Sequence, residues 1–395
     1  MRFSSLPAAA PLLFSAVSAL VAAPRDSTNT PYLGLVDFLA AEGLFNLGLY
    51  VATHGYPSQS CTLENVAVRR EWSTLSSAEK TSYINAVQCL ASKPSITPAS
   101  LVPGARSRYD DFVATHINQT LTIHGTGNFL AWHRYFTWTY EQALRNECGY
   151  EGYQPYFNWG KYSNNILGAS IFDGSSTSMS GNGAYVQHNA TGIPSNELPE
   201  IVLPAGSGGG CVTSGPFKNF KVNLGPVSPA LTYVEPNPGV FGMGYNPRCL
   251  RRDISQVAAQ GWTKDSDTAS LIQNNPDPYW FITNMQGNFP AGYLGVHTAG
   301  HFIIGGDPGG DLFTSPGDPY FYLHHANIDR TWWTWQNLDI KNRQYAVSAT
   351  ITLNNSPPSR NATLDDLIDL GFNAGPITIR DASSTIAGPF CYIYA

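Results

Sequence analysis

The chain has 395 residues, with 22 basic against 28 acidic side chains and a formal charge of −6, a balance that leaves no electrostatic footprint for nucleic acid. Charged residues make up 13%, about half the usual share near 25%. The expected surface is therefore neutral-polar and aromatic, and suits uncharged phenolic ligands.

In chain order, residues 1–23 read as an export signal. Arg2 supplies a positive start, residues 12–21 are apolar, and Ala22 and Ala23 suit cleavage. A buried N-terminal helix fits less well, because a proline and an alanine run precede the apolar stretch. That stretch is shorter than the roughly 20 residues a spanning helix needs, and no later segment reads as long and apolar enough to cross a bilayer. A secreted, extracellular chain is expected, with residues 24–395 as one domain because no linker divides them.

The run LVDFLAAEGLFNLGLYVA can form a helix. Residues 65–90 read as helix, capped by Ser73 or Ser77, with Tyr83, Ile84, Val87 and Leu90 on the apolar face. A second helix over 109–119 carries His116, and His133 opens a third through RYFTWTYEQALRNEC. Residues 163–246, rich in Gly, Ser, Asn and Pro, read as long irregular loops with a few short strands. Loops of that length are often functional, here as the wall of a site. Helical patterning returns at 267–274, near 293–302 and at 324–337. The tail from 345 reads as extended segments plus an acidic helix over 364–370. The fold class is mainly α.

Six cysteines, Cys61, Cys89, Cys148, Cys211, Cys249 and Cys391, point to disulfides in an exported chain. The sequence does not choose among the fifteen pairings; Cys61–Cys391, Cys89–Cys148 and Cys211–Cys249 are favoured because each would fasten segments near a histidine cluster or a terminus. Sequons at Asn189, Asn354 and Asn361 are expected to carry glycans. Asn118, two residues from a candidate ligand, is expected unmodified, since attachment needs an exposed loop.

Six of the nine histidines fall into two clusters. His116, His124 and His133 lie in THINQTLTIHGTGNFLAWHRYF; His297 and His301 lie in VHTAGHF, completed by His325 in YFYLHHANIDRTWW. His297 and His301 are spaced i, i+4, so on a helix their rings share one face. A zinc-protease motif needs Glu directly after the first histidine; Thr298 stands there. Asp329, one turn past His325, can accept a proton from a ligating imidazole and fix its tautomer, or pair with Arg330 or another surface base. Neither cluster offers a thiolate or a carboxylate ligand, which argues against zinc ribbons, blue-copper sites and non-haem iron. Imidazole serves both copper oxidation states and three per metal leave open positions, so copper is the favoured metal.

These segments resemble the paired copper-binding regions of the type-3 copper proteins: tyrosinases, catechol oxidases and haemocyanins. The likeness rests on HGTGNFLAWHRYF, on HTAGH with DPYFYLHHANIDRTWW, on RREWSTLSSAEKTSYINAVQCL, and on the closing Tyr392-Ile393-Tyr394. It covers about residues 55–395. It implies a helical bundle around two copper ions, with His116, His124 and His133 on copper A and His297, His301 and His325 on copper B. His324 is then a neighbour behind the ligands, while His54 and His188 match nothing and are read as surface or packing residues. The resemblance also implies oxidation of a catechol to an o-quinone with O2 reduced to water.

Three departures narrow the expectation. Many relatives carry a thioether-forming Cys where this chain has Thr122, so His124 is expected unbridged. The chain stops directly after the tyrosine motif, resembling short secreted forms that lack a C-terminal covering domain. Relatives that hydroxylate monophenols typically have Asn after the first copper B histidine and a Glu upstream; here stand Thr298 and, as water-holding candidates, Gln286 and Asn288. Thr298, Phe302 and Leu312 are read as shaping the pocket, and Trp332, Trp333 and Trp335 as helix packing. The expected activity is oxidation of o-diphenols or o-aminophenols by a monomer or weak homo-oligomer, with no nucleic acid or membrane partner. Its rivals are a tyrosinase, a dedicated oxidase of a hydroxyindole or phenolic pigment or metabolite precursor, an oxygen carrier, and a structural zinc protein.

Overall fold

The computed structural model describes residues 33–58, 60–62, 65–195 and 199–395; the expected export signal lies outside them. Helices dominate and strands occur in pairs of two to four residues, in keeping with the mainly α expectation.

Helix α1, Leu35–His54, begins where the Asp265 carboxylate accepts the amides of Leu35 and Val36. By length and composition it could cross a membrane, which corrects the expectation that no later segment qualifies. Its burial explains the difference: Val36, Leu39, Ala40, Gly43, Leu44 and Leu47 sit in the core, and Asp37 pairs with Arg330 at 2.6 Å.

The helix expected over 65–90 starts later. Residues Ala67–Arg69 form strand β1, and helix α2 spans Ser77–Ser92. Ser76, not Ser73 or Ser77, caps it: its hydroxyl accepts the Glu79 amide and the Glu79 carboxylate accepts the Ser76 amide, a reciprocal capping box. The first turn is lost because residues 67–69 pair in parallel with Tyr392–Tyr394, Ala67 opposite Tyr392 and Arg69 opposite Tyr394. Cys61–Cys391 closes beside this ladder, and Cys89–Cys148 and Cys211–Cys249 complete the favoured set.

Helix α3, Arg108–Ile123, carries a Ser107–Asp110 capping box. Helix α4, Phe129–Cys148, begins one turn before His133 and ends on left-handed Gly149, whose φ of +67° an L side chain resists. Residues 163–246 are loops with short hairpins, as expected. Helices α5 to α7, Gln256–Trp262, Asp265–Asn274 and Pro278–Gln286, lead into α8, Gly295–Ile304, and α9, Tyr320–Leu338. His325 therefore lies in the second turn of α9 and does not open it. The acidic helix expected over 364–370 does not form: Leu367–Ile368 is a strand paired with Ile377–Thr378.

Trp332, Trp333 and Trp335 are buried, as packing predicts. Asn189, Asn354 and Asn361 are exposed; Asn118 is exposed too, but on the helical backbone of α3.

Candidate metal centre

Four segments converge on one buried spot. Helix α3 supplies His116 and, as its first extended residue, His124; α4 supplies His133; α8 supplies His297 and His301; α9 supplies His325. The ligand-capable atoms of His116, His124 and His133 lie within 4.8 Å of one another, and those of His297, His301, His324 and His325 form a second such group.

In the first group each Nδ1 donates to a backbone carbonyl: His116 to Phe313 at 2.8 Å, His124 to Thr120 at 2.9 Å and His133 to Phe129 at 2.8 Å. A carbonyl only accepts, so the proton sits on Nδ1 and the Nε2 lone pair is left free. Nε2 of His116 and of His133 is buried without a partner. An orphaned buried acceptor is costly; a bound cation resolves it.

The second group is built differently. Nε2 of His301 lies 3.1 Å from Nε2 of His297 and 3.2 Å from Nε2 of His325. One N–H cannot serve both neighbours. Three nitrogens bound to one metal at about 2.0 Å would stand roughly 3.3–3.5 Å apart, close to the observed spacing. Nδ1 of His297 and of His325 has no partner, so here the backbone does not set the tautomer.

The two groups face each other. His133 stacks on His325 with centroids 4.4 Å apart, and Phe129 lies 4.8 Å from His297. Burial pushes the histidine pKa values down, that of His124 to about 4 and that of His324 to about 3; neighbouring imidazoles add to the effect at His116, His133, His297, His301 and His325. The rings are neutral near pH 7, the form a metal requires. The donor set fits two soft-to-borderline ions with open positions.

His324 is fully buried with both nitrogens unpartnered, 4.5 Å from His301 by ring centroids. It packs where Gly300 leaves room; a methyl there would sit 2.1 Å from its ring.

Asp329 needs correction. It bonds no imidazole. It accepts from Arg134 at 2.6 Å, Arg69 at 3.4 Å, and the Tyr392 and Tyr394 hydroxyls at 2.6 Å each. Nor does it pair with Arg330, which Asp37 holds. A deeply buried carboxylate finds its charge balance in buried guanidinium groups, and Asp329 points to the back of the site. Backbone carbonyls do the tautomer work for the first group alone, which side-chain patterns cannot reveal, and His325 Nδ1 has no partner of either kind.

At the front, the Thr298 hydroxyl donates to the Gln286 carbonyl, and the Gln286 side chain accepts the Gly125 amide at 2.8 Å. Both are thereby engaged with the backbone. Asp311 accepts the amides of Val227, Ser228, Phe313 and Thr314. This turn presents Leu312, 42% exposed, beside the Phe313 carbonyl that holds His116. Phe302 is half-buried against Ala299 and Leu294 of the same small cluster. His54 stacks on Tyr50 at the surface; His188 pairs with Asp253 at 2.8 Å, a contact the sequence did not suggest.

Residues 106–338 match the family model described as the common central domain of tyrosinase. The chain is 47% identical over 313 residues to tyrosinase-like protein orsC of Emericella nidulans, covering 76% of this chain and 82% of that protein. It is 39% identical to tyrosinase P of Aspergillus terreus over 86% of this chain and 94% of that one. A third relative, the N-acetyl-6-hydroxytryptophan oxidase ivoB of Emericella nidulans, is 38% identical over 85% of this chain and 94% of its own. Among solved structures, a mutant polyphenol oxidase from Thermothelomyces thermophila superposes with a TM-score of 0.82 at 42% identity, covering 99% of both chains. With two opposed histidine groups at its centre, this chain belongs to the tyrosinase family of type-3 copper oxidoreductases.

Proposed function

We propose that the chain is a secreted oxidase of o-diphenols, and of related o-aminophenols, with His116, His124 and His133 holding one copper and His297, His301 and His325 the other. When bound, the copper pair supplies the redox chemistry between O2 and the diphenol. The protein's own residues do the rest. Carbonyls of Phe313, Thr120 and Phe129 hold three rings in the ligating tautomer. Phe321, 4.1 Å from the His325 ring and 5.4 Å from that of His116, helps to keep water out of the space between them. Leu312 and Phe302 offer apolar surface to an aromatic ring at the entrance.

The observation that carries diphenol over monophenol oxidation is the bonding of Thr298 and Gln286. Among the described residues no carboxylate bonds to either side chain to make a water basic; the Thr298 proton is committed to the Gln286 carbonyl, and the Gln286 side-chain oxygen to the Gly125 amide. Oxygen uptake by the copper-loaded protein with a catechol, a monophenol and an o-aminophenol in parallel tests this. Uptake with catechol and aminophenol but not with the unprimed monophenol is expected; prompt monophenol turnover would overturn it. The likeness to ivoB supports a second reading, a dedicated oxidase of one hydroxyindole or metabolite precursor, which a hydroxyindole in the same series distinguishes.

A further inference from the structure

Helix α1 is apolar on two sides and has core on one. Opposite its buried side, Leu35, Phe38, Phe45 and Leu49 are 48%, 61%, 56% and 50% exposed. Together with Glu42 and Ala52 they recur at alternating steps of three and four, the spacing of a helix–helix seam. At roughly 100° per residue these six positions fall in one stripe about 100° wide. A helix that is hydrophobic all round belongs inside a protein.

We propose that this seam docks a second copy of the chain, antiparallel, about a twofold axis level with Gly43 and Leu44. That register sets Phe38 of one copy against Leu49 of the other, Leu35 against Ala52, and Glu42 against Phe45, so the two glutamates are offset and do not meet head-on. Such an isologous pairing closes on itself.

The area is sufficient. A large apolar side chain at half exposure presents about 100 Å². With the exposed Glu42 and Ala52 of the same stripe, each copy offers about 500 Å², and a pair buries about 1,000 Å², the lower bound for specific association. A lipid surface fits the helix less well, because α1 contains no Lys or Arg to meet headgroups. Spanning is incompatible with Asp37 bonded to Arg330 and with the Asn46 side chain donating to the Asn337 carbonyl at 3.2 Å. Those contacts place α1 on the far half of α9 from His325, so docking leaves the histidines untouched.

Sedimentation of the purified chain over a concentration series tests the proposal, with Phe38→Glu/Phe45→Glu and Glu42→Ala alongside. The wild-type mass should double as concentration rises. Removing the one charge in the seam with Glu42→Ala should tighten the dimer several-fold, an outcome that misfolding cannot imitate. The double glutamate variant should stay at single-chain mass with its helical circular dichroism intact; should it fail to fold, Glu42→Ala decides. Single-chain mass for both wild type and Glu42→Ala at about 100 µM would overturn the proposal. So would a dimer that survives the double substitution, or a chain that is single in buffer and floats with phosphatidylcholine or phosphatidylserine vesicles.

Discussion

Arg134 donates from Nε to Asp329 Oδ1 at 2.6 Å, between side chains 0% and 3% exposed. Arg134 follows His133 directly on α4, and Asp329 stands one turn beyond His325 on α9. The pair therefore ties together the two helices whose imidazoles stack at 4.4 Å across the centre. Arg69 reinforces it from β1, bonding Glu141 on α4 at 3.0 Å and Asp329 on α9 at 3.4 Å.

Asp329→Asn should destabilise the fold by about 3–5 kcal/mol, because two buried guanidinium groups lose their shared counter-charge. Tyr392→Phe removes one hydrogen bond to the same carboxylate and should cost about 2 kcal/mol. Denaturant titration measures both. Equal and small losses would show that the network carries no net charge balance.

The two metal positions should differ in how firmly they hold copper. Backbone carbonyls fix all three rings of the first group, whereas Nδ1 of His297 and His325 has no such partner. Loss of an orienting partner typically costs 10–100-fold in metal affinity, roughly. Stepwise chelation followed by metal analysis and electron paramagnetic resonance should show the His297, His301 and His325 position emptying first. Simultaneous release would count against the distinction.

Metal-free protein should lose stability as pH falls. The buried histidines have folded pKa values below their unfolded value of 6.5, that of His124 at about 4. Their contribution is complete above the unfolded value and declines as pH falls from there through the folded value. For His124 alone the span of 6.5 to about 4 corresponds to about 3 kcal/mol. His188 works in the opposite sense: burial opposes its charge, but the Val186 carbonyl and Asp253 outweigh that and raise its pKa. Its contribution is present at low pH and fades as pH rises. Thermal melts of the apo form between pH 7 and pH 4 should show a falling midpoint; a flat profile would mean the rings are not buried neutral.

Leu312→Ala should raise KM for catechol more than it lowers kcat, since Leu312 offers surface at the entrance and the neighbouring Phe313 carbonyl holds the His116 ring. Steady-state kinetics with oxygen uptake separates the two. A fall in kcat alone would place Leu312 in ordering the Asp311 turn and, through Phe313, His116.

The histidine clusters were legible because rare residues recur at helical spacing beside aromatic helices. The i, i+4 pair and the adjacent histidines of α9 needed no long-range information. Residues 65–76 misled because their helical pattern competes with pairing to a strand more than 300 residues away, a partner no local pattern reveals. The acidic run at 364–370 failed for the same reason: its hairpin with Ile377–Thr378 outweighs local propensity. Asp329 was noticed but misassigned, since i, i+4 spacing to His325 says nothing of the Arg69 and Arg134 side chains arriving from other segments. A signal for Arg134 did exist: a cation inside the aromatic stripe of α4 must find a buried anion. The orienting carbonyls of Phe313, Thr120 and Phe129 left no trace, because every residue has one.

Metal analysis of the purified chain tests the central claim most directly. Two coppers per chain, reduced to about one by His133→Ala or by His325→Ala singly, is the predicted result. Zinc in their place, or a copper content indifferent to both substitutions, would contradict it.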